Sequence, residues 1–164
     1  MLFSSFPAAA VVRAATAVAV IALAGCSKSD PGGTTPSPTT PANIAGTWSG
    51  PASDSSGTGT MTWTVTQAGR TISGPLAIVA SVAADVNVAG AGTLSGTVTG
   101  NSIAFTLTIP AGGFGPPYSS CTSTSSGTAT VAGNAISGSY TGTVSGATNC
   151  SGAIGAGQLN LNKQ

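Results

Sequence analysis

From Asn43 onward the chain alternates between apolar and hydroxyl-bearing residues and keeps no helical period. Gly59 to Thr66 reads G-T-M-T-W-T-V-T, which puts Met61, Trp63 and Val65 on one face of an extended strand and the threonines on the other. Ser102 to Ile109 repeats the pattern with Ile103, Phe105, Leu107 and Ile109. One buried and one wet face is the signature of antiparallel sheet, because parallel strands are covered on both sides.

A loose repeat fixes where these strands turn. V-T-Q-A-G-R-T-I-S, V-T-G-N-S-I-A and V-A-G-N-A-I-S each carry a glycine followed by Arg or Asn, with Ile72, Ile103 or Ile136 two residues further on. Such pairs supply the positive φ of tight hairpins. Strands laid on these turns number eight: 44–50, 58–67, 71–79, 89–99, 102–109, 122–132, 135–145 and 151–162. In the last, inward parity shifts between Ile154 and Leu159, which predicts a bulge near Gly155 or Gly157. Eight sequential antiparallel strands predict an all-β, closed up-and-down barrel without free edges. The alternative is an open β-sandwich or a short solenoid. A sandwich requires a long crossover that the turn pattern does not offer, and solenoids favour a shorter repeat.

Ile44-Ala45-Gly46-Thr47-Trp48-Ser49-Gly50, a G-x-W on the first strand of such a meander, resembles the opening motif of the calycin barrels, the lipocalins and avidins. That resemblance implies that Trp48 packs across the closed end of the barrel under a basic side chain of the last strand, the place Lys163 takes here. It carries over a fold and no ligand.

The N-terminus has a different texture. Arg13 precedes an apolar run from Ala14 to Ala24, closed by small residues before Cys26, as a secretory signal requires. An uncut membrane span is the alternative. Arg13 opposes it, and the remaining apolar run is shorter than the ~20 residues a span needs. Leu23-Ala24-Gly25-Cys26 resembles the lipobox of bacterial lipoproteins, which implies cleavage before Cys26, acylation of that cysteine and a membrane anchor. Ser27 in place of Asp then favours the outer membrane of a Gram-negative cell. The expected organisation is a signal peptide over 1–25, a lipidated Cys26 with a Pro/Thr/Gly-rich linker over 26–42, and a barrel domain over 43–164. With Cys26 acylated, Cys121 and Cys150 remain as a pair in an oxidising compartment, where a disulfide is the default.

Composition narrows the chemistry. The chain holds no His and no Glu, only 4 Lys and Arg, and 3 acidic residues. A net charge of +1 leaves no basic footprint for nucleic acid. Ser-His, Cys-His and zinc constellations lack their parts, and no carboxylate pair beyond Asp54 and Asp85 is available, so the expectation is a non-catalytic protein with no metal and no cofactor.

In a meander, alternate turns fall at opposite ends. Both termini, Lys163 and the tight turns at Gly69-Arg70, Gly100-Asn101 and Gly133-Asn134 share one end. The other is expected to collect long connections over 51–57, 80–88, 110–121 and 146–150, with Asp54, Asp85, Phe114 and Tyr118 as candidate mouth residues. For Asp54 and Asp85 the plainer reading is a pair of solvated loop acids. Phe114 and Tyr118 are expected either as a lid or as an apolar plug. Two functions follow: a lipid-anchored barrel binding a small apolar or amphipathic ligand, or a structural lipoprotein with a filled barrel that meets another envelope protein. Interior volume decides between them.

Overall fold

The computed structural model describes residues 39–82, 86–146 and 150–164. Eight strands, β1 (Gly46–Asp54), β2 (Gly57–Ala68), β3 (Thr71–Val82), β4 (Val86–Thr99), β5 (Ser102–Ile109), β6 (Thr122–Ala132), β7 (Ala135–Ser145) and β8 (Gly152–Lys163), follow one another around a closed barrel. Every neighbouring pair is antiparallel, and β1 closes on β8 through Trp48 opposite Lys163 and Ser53 opposite Gln158. The meander expected from the turn spacing is the fold, and the sandwich is excluded.

The three turns β2–β3, β4–β5 and β6–β7 each have a glycine with positive φ at the first central position: +60° at Gly69, +56° at Gly100 and +59° at Gly133. An L side chain resists that conformation, which is why glycine recurs there. The bulge in β8 is also present. Tyr140 faces Gly157 and Gly142 faces Ile154, so Thr141 opposes both Gly155 and Ala156, and Ala156 takes a φ of +52°. The extra residue restores inward parity for Ile154 after Leu161 and Leu159.

Two expected loops are strand instead. β1 runs through Pro51 to Asp54, so the connection to β2 is only Ser55-Ser56, and β3 extends to Val82. Pro51 is tolerated because the β1–β8 ladder lapses at Gly50 and Pro51, where a missing N–H leaves no partner unpaired. Ala42, assigned to the linker, already belongs to the barrel: its N–H donates to Gly100 O at 2.8 Å. Gln67 fastens the same lead-in, donating from Nε2 to Ala42 O and accepting at Oε1 from Ile44 N–H at 2.7 Å. Ile44 is thereby fully buried against the closed end.

Cys121 and Cys150 are bridged, with Cα atoms 5.1 Å apart. The link ties the start of β6 to the connection before β8 across a 29-residue separation, a closure worth roughly 3–4 kcal/mol in the chain-entropy model. The interior is apolar and the outer face is rich in Thr and Ser, the reverse of a transmembrane barrel with its apolar outer band. Among the described residues no helix is long and apolar enough to cross a membrane.

Candidate functional site

The barrel interior divides along its axis. Toward the tight turns the inward residues are large: Trp48, Trp63, Ile72, Val98, Ile103, Ile136 and Leu161 are almost completely buried. Trp48 donates its indole N–H to Ile44 O at 2.7 Å, and Lys163 Nζ stands 5.4 Å from its ring centre, a cation–π arrangement on the outside of the closed end. Trp63 meets Phe105 edge to face at 5.0 Å between ring centres.

Toward the other end the inward positions that line the interior shrink to Ala52, Gly57 and Gly59 on β1 and β2, and Ser123 and Ser125 on β6. The volume those side chains do not fill is a cavity of about 440 Å³, open at the mouth. Met61, Leu76, Ile78, Leu107 and Ile109 supply apolar wall. This size lies within the 300–1,000 Å³ range of small-molecule sites.

Phe114 belongs to the wall. β5 ends at Ile109 while β4 continues outward, which would leave a free strand edge. The loop after β5 returns to cover it: Ala91 N–H donates to Gly113 O at 2.7 Å, Gly115 N–H to Ala89 O at 2.9 Å, and Phe114 bridges to Gly90. Phe114 is half-buried, packs on the core and lines the cavity as part of its wall. Tyr118, also half-buried, lines the rim close to the disulfide-bonded Cys121.

Asp54 is not a loop acid. It is the last residue of β1, in inward register with Trp48 and Ala52, and it lines the cavity. Its Oδ1 accepts from the backbone N–H of Ser56 at 2.7 Å and from the Ser56 hydroxyl; its Oδ2 accepts from the Tyr140 hydroxyl at 2.9 Å. Tyr140 reaches it from β7 because Gly157 on the intervening strand has no side chain: a Cβ there would lie 2.6 Å from the ring. Burial, and next the neighbouring Asp54 carboxylate, push the Tyr140 phenol well above its ordinary value near 10, so the hydroxyl stays protonated and keeps donating. Ser123 and Ser125 complete a polar band on the same side, and both line the cavity.

Of the residues singled out from sequence, Asp54, Phe114 and Tyr118 gather around one cavity, and Trp48 with Lys163 lies at the opposite end. Asp85 and Cys26 lie outside the described residues. Tyr140, Ser123 and Ser125 escaped the sequence reading, although strand parity placed all three inward. Among the described residues no cluster of His, Cys, Asp and Glu suits a metal ion. Comparison of the chain with protein-family models, with curated proteins and with solved structures found no match. The functional reading therefore rests on the site alone.

Proposed function

We propose that this protein is a lipid-anchored, non-catalytic binding barrel of the cell envelope, calycin-like in design, that takes one small apolar or amphipathic molecule into the open half of the barrel. The observation that carries the proposal is the cavity of about 440 Å³ with apolar walls and a few polar groups on one side, the usual make-up of a small-molecule site. A structural lipoprotein has no use for this void, which forfeits packing that a larger side chain at Ser125 would supply. The anchor rests on Leu23-Ala24-Gly25-Cys26. Two or more acyl chains hold a protein stably at a membrane.

Both halves of the proposal are open to test. Intact-mass analysis of the membrane fraction is expected to give a chain beginning at Cys26 with added acyl mass; an unmodified soluble chain contradicts the anchor. For binding, the mature chain is prepared with Cys26→Ser, so that no acyl chain competes for the cavity, and titrated with the neutral apolar fluorophore N-phenyl-1-naphthylamine. Saturable fluorescence enhancement at one equivalent, lost in Ser125→Leu, is the expected result. Enhancement that does not saturate, or that Ser125→Leu leaves intact, contradicts a cavity site.

A further inference from the structure

The polar side of the cavity has a direction. Tyr140 has one hydroxyl proton, and it is committed to Asp54. What the pair offers an occupant is therefore acceptor capacity only: the remaining lone pairs of Tyr140 Oη and of Asp54 Oδ2, the latter carrying one hydrogen bond against the two on Oδ1. The hydroxyls of Ser123 and Ser125 accept as readily as they donate. A ligand head that only accepts hydrogen bonds is left with the hydroxyls of Ser123, Ser125 and Tyr118 and gains nothing from the Asp54–Tyr140 pair.

Charge points the same way. The domain's two cations, Arg70 and Lys163, are at the closed end, Arg70 in the β2–β3 turn and Lys163 at the end of β8 beside Trp48. Residues 51–60, 76–82, 86–92, 107–126, 140–146 and 150–158, the described segments that build the open half, contain no Lys, Arg or His, and their one acid is Asp54. A carboxylate or phosphate head would enter against like charge with no cation to meet it. A protonated amine meets a carboxylate set into an apolar wall, where charge-assisted hydrogen bonds are stronger than neutral ones.

Resting on the binding-barrel reading, we infer that the site selects its ligand by the head: it takes a single-chain amphiphile with a protonated primary amine, held by Asp54 and Tyr140 while the alkyl body lies along Met61, Leu76, Leu107 and Phe114. Asp54 sets the preference for charge. Tyr140 fixes the carboxylate in place and adds an acceptor.

Three probes of matched chain length test this: decylamine, decanol and decanoate, titrated calorimetrically at neutral pH below their aggregation thresholds into the mature chain carrying Cys26→Ser. Decylamine is expected to bind about tenfold or more tighter than decanol, the usual scale of a hydrogen bond to a charged group, and decanoate weakest. Asp54→Asn is expected to abolish the preference, so that decylamine binds no tighter than decanol; Tyr140→Phe is expected to keep the amine preference at reduced affinity. Equal binding of decylamine and decanol, or decanoate binding tightest, overturns the head-group inference and leaves the binding barrel standing. Should none of the three bind, both readings fall. The wild-type ranking decides the matter even if a variant does not fold.

Discussion

The two halves of this barrel share strands, register and closure, yet one is packed and the other is hollow. On β2 the contrast occupies a single strand: Val65 and Trp63 are buried in a dense core, Met61 stands at the boundary, and Gly59 and Gly57 border open volume. β6 repeats it, with Ala129 and Val131 in the packed half and Ser123 and Ser125 in the hollow one. Backbone pairing alone is enough to carry the barrel wall past the point where side chains stop filling it. Side-chain packing is concentrated in the half with the Gly69, Gly100 and Gly133 turns, while in the opposite half the disulfide and the returning 113–115 segment keep the wall closed.

If that division is real, equivalent truncations should have unequal costs. Trp63→Ala is expected to destabilise the domain by about 3–5 kcal/mol, whereas Met61→Ala, which only enlarges an existing void, is expected at the low end of such losses, about 2 kcal/mol. Urea denaturation measures both, and equal losses would mean that the hollow half is as tightly packed as the other. Enlargement should invert the contrast. Ala129→Leu is expected to cost about 1–3 kcal/mol through overpacking, while Ser125→Leu is expected to leave the denaturation midpoint unchanged or raised.

The strand order of the barrel was legible in the sequence; the division between its halves was not. Period-two alternation and the glycine turns placed eight strands in order, and the parity slip in β8 located its bulge, because each depends on nearest neighbours in sequence. Asp54 was misplaced for an equally local reason. Pro51 and the Ser-Ser-Gly run read as loop, and only the lapse in the β1–β8 ladder explains why a proline sits inside a strand. The Asp54–Tyr140 hydrogen bond joins residues 86 apart. It requires that a ring on β7 cross β8 over Gly157, close to the bulge, and no local pattern records that crossing. The cavity is a negative quantity, a run of small inward residues on several strands, and reads in sequence merely as a lean core.

The smallest expected effect concerns the polar pair. Tyr140→Phe removes one hydrogen bond to a carboxylate at the rim and is expected to cost about 1 kcal/mol at neutral pH. Its pH dependence is more telling. Because the folded-state phenol is held above its ordinary value, the stability linked to it is complete below about pH 10 and is lost as pH rises above that. The wild-type domain is therefore expected to lose stability more steeply than Tyr140→Phe between neutral and strongly alkaline pH, as followed by thermal melts. Parallel curves would show that the phenol does not sense its burial or Asp54.

The difference between the halves is tested most directly by a two-dimensional amide NMR titration of the mature Cys26→Ser chain with decylamine. The largest shifts are expected at Met61, Leu76, Leu107, Ser125 and Tyr140, with Ile72, Val98 and Ile136 unmoved. Shifts that centre on the tight-turn end or on the outer Thr-rich face, or that spread evenly over both halves, would contradict a ligand site in the hollow half of the barrel.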